Sequence, residues 1–107
     1  VWLGMGTDGH TASIFPGPDL ETALEGGKDV RAVGVAPDPM PSEAPVNRVT
    51  LTASAIGTAR TAILVINGAE KREILEAAIE QGSKSAYPVG RVLDKIAVPV
   101  DIYCLDD

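Results

Sequence analysis

Several things are scarce in this sequence, and each scarcity removes a class of function. There is one cysteine, Cys104, in 107 residues, which rules out an internal disulfide and any zinc site built from several thiolates. Cys104 lies in an apolar, strand-like run and reads as a small buried side chain. There is likewise one histidine, His10, and a single imidazole beside one nearby acid falls short of a zinc site. Cations are few: 9 Lys and Arg against 15 Asp and Glu leave a net charge of −6. That balance argues against a general nucleic-acid binder, which would carry a basic face. No apolar run approaches the ~20 residues needed to cross a bilayer, and no secretory leader pattern precedes the first apolar run. A cytoplasmic protein acting on a small molecule, without metal or redox cofactor, is the expectation.

What is present is an alternation of strand-like and helix-like segments. Val1–Leu3 reads as the end of a buried strand, and a glycine-rich turn follows it. Thr11 to Phe15 is long enough for about one helical turn before Pro16-Gly17-Pro18 ends it. Asp19 is placed to cap a short helix through Glu25, with Gly26-Gly27 as its stop. Residues 30–36 alternate as a strand does, and 37–45 holds four prolines, a loop. Arg48 to Leu51 is extended, and Thr52 can cap a helix over the residues after it. Thr61 to Ile66 is a continuous β-branched and apolar run, the mark of a central strand covered on both faces. Ala69 to Gln81 is the best helix, with Ile74, Leu75, Ala78 and Ile79 on one stripe and Gly82 at its end. Val98 to Leu105 supplies a final strand. The order predicts an α/β fold: a mostly parallel sheet with flanking helices, part of a larger doubly wound, Rossmann-like domain. At 45% hydrophobic content the chain can bury one modest core, so a single domain is expected.

The most informative segment is Gly4-Met5-Gly6-Thr7-Asp8-Gly9-His10. Its three glycines leave the backbone free to adopt positive φ and let amides approach a ligand. An acid and the sole histidine stand at the far side of the turn, at the carboxyl end of a strand, where open α/β sheets keep their ligands. The segment also fits a dinucleotide fingerprint, but that motif needs a full helix after it and an acid at the tip of a second strand. Pro16-Gly17-Pro18 denies the helix, and Asp29 falls before its strand, so a dehydrogenase is not expected.

Lys71 carries a separate argument. Asn67-Gly68-Ala69-Glu70 makes a fair capping-box start, which puts Lys71 in the first turn of its helix. A cation there opposes the positive end of the helix dipole, and a bound anion would remove the conflict. The bland alternative is a solvated lysine paired with Glu70 or Glu73. Arg48, ahead of a strand-to-helix turn, has a fork of donors suited to phosphate or carboxylate; equally, it could bridge to an acid.

Read onward through Thr11-Ala12-Ser13-Ile14-Phe15-Pro16, the glycine turn closely resembles the GMGxDGHTASLFP signature of the 6-phosphogluconolactonase family. Thr7 replaces a common proline and Ile14 a common leucine, and neither position carries a chemical group the reaction needs. Pro45-Val46-Asn47-Arg48-Val49-Thr50-Leu51-Thr52 resembles the family's P-x-x-R-x-T-L-T segment. Asn67-Gly68-Ala69-Glu70-Lys71 resembles its G-x-x-K turn, and Val100 to Asp106 its last strand. The related deaminase branch continues its DGH turn differently. Family members are about twice this length, and their amino-terminal phosphate loop has no counterpart here. With Val1 rather than methionine at its start, the chain is expected to be the carboxyl-terminal half of one such domain, with exposed edges that favour self-association.

The resemblance implies hydrolysis of 6-phosphoglucono-1,5-lactone in the oxidative pentose phosphate route. His10 would take the proton of the attacking water, a task suited to an imidazole near neutral pH. Asp8 would orient that ring, or else simply close an Asx turn. Arg48 and Lys71 would hold the substrate's phosphate. The amides of Gly6, Thr7 and Gly9 are candidates for stabilising the oxyanion. Two rival readings remain: a sugar-phosphate sensor or deaminase-like relative sharing the fold, and an inert fragment.

Overall fold

The computed structural model describes residues 1–25, 29–42 and 44–105. Its centre is a three-stranded parallel sheet in the order β1–β4–β5, formed by Trp2–Leu3, Ala62–Asn67 and Val100–Leu105. A separate antiparallel pair joins β2 (Ala32–Val35) to β3 (Arg48–Leu51). Among the described residues four helices pack with these strands: α1 (Leu20–Glu25), α2 (Ala53–Gly57), α3 (Ala69–Gln81) and α4 (Pro88–Lys95). A single 3-10 turn, Gly82–Lys84, links α3 to α4. The fold is α/β, as the alternation predicts, with the antiparallel pair as an addition to the parallel core.

β4 is the middle strand, and Ala62, Leu64 and Ile66 point into the core while Ile63 and Val65 are half-buried. The expectation of a strand sealed on both faces is corrected to one sealed face and one partly covered face. Leu3 alone of the first apolar run is buried; Trp2 is 76% exposed, so that run is not a buried strand throughout. The core joins Leu64 and Ile66 to Ile14, Leu24, Ile56, Leu75, Val89 and Val92. α3 packs on α4, α4 on α2, and α2 on α1.

Local chemistry explains the helix boundaries. Thr52 caps α2: its hydroxyl oxygen accepts from the Ala55 amide at 3.1 Å, one of the four amide hydrogens a helix start leaves unpaired. The same hydroxyl donates to the Val30 carbonyl at 2.8 Å, so the cap also ties α2 to the chain ahead of β2. α1 starts where expected, but the Asp19 carboxylate is drawn to the Ala36 amide at 2.8 Å rather than capping the helix. Its expected stop at Gly26-Gly27 lies outside the described residues.

Three expectations change. The segment Thr11–Ile14 is a tight turn and not a helical one: the Ile14 amide donates to the Thr11 carbonyl at 2.9 Å, and Ala12 takes φ 51°. Thr11 is pulled back by a hydroxyl bond to the Gly4 carbonyl at 2.7 Å, and Phe15 precedes a proline, which disfavours helix there. The capping box at α3 is not formed, because the capping position falls on Gly68, which has no side chain to supply. And α4 is a helix the sequence reading left out, although Val89, Val92, Leu93 and Ile96 follow helical spacing behind a proline at the first position. Gly90 inside it masks the pattern.

Candidate functional site

β1 delivers the chain into the glycine turn, and a set of hydrogen bonds closes that turn on itself. The Gly9 amide donates to the Gly6 carbonyl at 3.0 Å, and the Gly6 amide to the His10 carbonyl at 3.0 Å. Gly9 sits at φ 82°, a conformation that favours glycine, with its Cα pressed against Tyr87. Its carbonyl accepts from the Val89 amide at 2.8 Å, so the amino end of α4 braces the turn from behind. The Ser13 amide donates to the Thr50 hydroxyl at 3.0 Å, which fixes the next turn against β3. The braces from Tyr87, Val89 and Thr50 lie outside the signature's own spacing rules; they come from residues 37 or more positions away.

Within this frame Asp8 and His10 form a pair. One Asp8 oxygen, Oδ1, accepts the His10 backbone amide at 3.0 Å and lies 2.5 Å from His10 Nδ1. The geometry fits both readings of Asp8: the same oxygen closes an Asx turn and contacts the ring. A carboxylate on Nδ1 fixes a tautomer in which Nδ1 carries the proton and Nε2 keeps its lone pair. The ring is confined on two further sides. A Cβ built on Gly6 would overlap His10 Cε1 and Nδ1, so the imidazole lies directly on the Gly6 backbone. Its face stacks on Phe15, with centroids 4.3 Å apart and planes 26° from parallel.

His10 opens onto a cavity of ≈ 400 Å³ lined also by Gly4, Met5, Gly6, Ala12 and Lys71. The structure thus brings together His10 and Lys71, which are 61 residues apart in the chain. Lys71 is the third residue of α3 and forms no ion pair among the described residues, so pairing with Glu70 or Glu73 does not account for it. Gly68, at the capping position beside it, has no side chain to cap the helix. A cation from the first turn of α3 and an imidazole line one concavity, an arrangement able to seat an anion next to a proton acceptor.

Two sequence expectations are revised by this geometry. The amides of Gly6 and Gly9 donate inside the turn, so they are not free to stabilise an oxyanion. Of the three, only the Thr7 amide has no acceptor among the described residues. Arg48 does not line the His10–Lys71 cavity. Its Nη2 donates to the Ala44 carbonyl at 2.6 Å, and its guanidinium lies over the Phe15 ring, 4.8 Å from the centroid. It lines a second cavity of ≈ 330 Å³ with Asp19, Asn47 and residues of β2. Phe15 and Tyr87 are the contributors that sequence reasoning overlooked. Phe15 stood in plain view inside the signature, but nothing in linear spacing says that it touches both His10 and Arg48.

Residues 1–99 match the family described as glucosamine-6-phosphate isomerases/6-phosphogluconolactonase. A 6-phosphogluconolactonase of Neisseria meningitidis is 39% identical over 102 residues, covering 94% of this chain and 42% of that protein. One from Rhizobium meliloti is 39% identical over 109 residues, covering 96% of this chain and 43% of its own. The crystal structure of a 6-phosphogluconolactonase from Shewanella baltica superposes with a TM-score of 0.81 at 36% identity, over 99% of this chain and 43% of that one. The chain therefore spans about two fifths of the length of the curated relatives it matches. Among the described residues no helix is long and apolar enough to cross a membrane.

Proposed function

The chain belongs to the glucosamine-6-phosphate isomerase/6-phosphogluconolactonase family, and on that premise we propose that it supplies the histidine-bearing part of a site that opens 6-phosphoglucono-1,5-lactone in the cytoplasm. The observation that carries this reading is the Asp8–His10 pair facing a cavity shared with Lys71. Ester hydrolysis needs a base for water, a hold on the charge that develops at the carbonyl, and a grip on the rest of the substrate. His10 Nε2, with Nδ1 committed to Asp8, takes a proton from water as its oxygen attacks the lactone carbonyl. The tetrahedral intermediate then collapses, the bond to the ring oxygen breaks, and the imidazolium returns the proton to that oxygen. Asp8 stabilises the imidazolium through the interval. The Thr7 amide is the donor we assign to the oxyanion.

We assign the substrate phosphate to Lys71, in the first turn of α3. Arg48 we assign to Phe15, since its guanidinium already rests on that ring. On this reading Lys71→Ala weakens binding of 6-phosphogluconate by roughly 10-fold or more, the loss expected for one charge-assisted contact. Binding of unphosphorylated gluconate should not change. Calorimetric titration with the two acids checks this, and equal affinities for 6-phosphogluconate in both proteins would remove the phosphate from Lys71.

The test of the reaction is the rate of 6-phosphogluconolactone opening by the chain, corrected for spontaneous hydrolysis, beside His10→Ala. Loss of the base should cost about 100-fold or more. Because His10 is the only histidine, its imidazole resonances report on the site directly. A folded chain that neither accelerates the reaction nor shifts those resonances on adding 6-phosphogluconate would end the proposal.

A further inference from the structure

Two side chains from distant parts of the sequence, His10 and Arg48, meet at one aromatic ring, that of Phe15. Phe15 is 8% exposed. It carries the His10 imidazole at 4.3 Å and the Arg48 guanidinium at 4.8 Å. Its backbone follows the tight turn Thr11–Ile14, which is pinned to Gly4 through the Thr11 hydroxyl and to β3 through Thr50. Arg48, on β3, is itself tethered to the Ala44 carbonyl. We propose that Phe15 is a positioning residue for the imidazole: its ring is the surface that holds His10 flat over the Gly6 backbone, with Arg48 holding Phe15.

The argument is one of degrees of freedom. An imidazole turns about two side-chain bonds. The Asp8 contact at Nδ1 anchors one ring atom but leaves the ring free to swing about that contact. The Gly6 backbone limits the swing on one side. Phe15 is the contact that fixes the plane of the ring, and with it the direction of the Nε2 lone pair into the cavity. A stacked aromatic suits this because its flat face and quadrupole favour offset parallel contact. The guanidinium on the same ring is attracted to its π-face, which immobilises the platform without placing a cation on the imidazole. A leucine at this position would fill similar space and keep the core, but it has no plane to impose.

The inference rests on the reaction proposed above. Its test uses Phe15→Leu and Phe15→Tyr, assayed for lactone opening and for the His10 imidazole resonances. In the wild-type chain the imidazole protons should lie upfield, shifted by the Phe15 ring current, and should show cross-relaxation with Phe15 ring protons. Phe15→Leu should move those resonances downfield and lower kcat by roughly 10- to 100-fold, since small misplacements of a reacting group carry losses of that order. KM should stay within about twofold, because the phosphate grip is elsewhere. Phe15→Tyr, which keeps the ring, should recover wild-type resonances and most of kcat. An active wild type matched in kcat by a folded Phe15→Leu overturns the positioning role and leaves the reaction standing. Wild-type imidazole resonances without an upfield shift overturn it too, even if Phe15→Leu does not fold. A wild-type chain that opens no lactone overturns the reaction first, and the role of Phe15 in it falls with it.

Discussion

Replacing Gly6 by alanine is expected to remove about 99% of lactone-opening activity while leaving the chain folded. The backbone at Gly6 is not in the left-handed region, so alanine is admissible there on conformational grounds. What forbids it is the site: the new Cβ would overlap Cε1 and Nδ1 of His10 and stand 3.0 Å from Asp8 Oδ1. The imidazole has to leave either Asp8 or Phe15. A reacting group displaced by about 1 Å loses on the order of 100-fold in rate. The fold has little to lose, because His10 and Asp8 are partly solvated, at 31% and 48% exposure of their side chains. Gly34→Ala is the control, since its Cβ would meet only the Arg48 carbonyl at 3.9 Å and Gly34 does not line the His10–Lys71 cavity. Rates and thermal unfolding of the two variants decide the matter. If Gly6→Ala keeps wild-type activity, the imidazole does not rest on this backbone.

The largest effect on stability is expected at Gly90, which no chemical reading of the sequence singles out. It lies within α4, where glycine is disfavoured relative to alanine by about 1 kcal/mol. Its presence there is explained by what faces it. A Cβ would come 2.5 Å from the Ala78 carbonyl oxygen and 2.8 Å from the Ser85 Cβ, so α3 and α4 meet backbone to backbone at this point. Ala78 is fully buried, and its carbonyl belongs to a helix backbone that cannot step aside as a flexible side chain would. Gly90→Ala should therefore destabilise the chain by about 2 kcal/mol after the helix-propensity gain, within the range for overpacking. For a domain of this size the melting temperature should fall by roughly 10 °C. Because α4 braces Gly9 through the Val89 amide, the variant should also broaden the His10 resonances. A melting temperature equal to or above wild type would mean that the two helices can separate at no cost.

Much of the site was legible because its contacts are short in sequence. Asp8 reaches His10 two residues on, and the Gly6–Gly9 turn closes within three. Lys71 in the first turn of α3 follows from a strand, a glycine and a helical stripe in order. Even the cap of α2 by Thr52 is a relation across three residues. Where the linear reading failed, a distant partner had changed the outcome. Asp19 gave its carboxylate to Ala36 and not to α1, and Thr11 turned back to Gly4 in place of starting a helix. Arg48 rests on Phe15 and Ala44 and lines a different cavity from Lys71, with which the resemblance had grouped it as a phosphate ligand.

By itself, then, the sequence determined the family, the α/β class, the acid–histidine turn and the cation waiting at a helix start. Each depends on residue identity at fixed short spacing, which covalent geometry converts directly into proximity. Only the tertiary structure decided which side chains surround the imidazole, which amides remain free, why α4 contains a glycine, and that His10 and Lys71 share one cavity while Arg48 lines another. Apart from the imidazole's neighbours within the signature and the turn's own amides, those relations join residues tens of positions apart, and they exist because packing of the sheet, the helices and the β2–β3 pair satisfies buried volume and hydrogen bonds together.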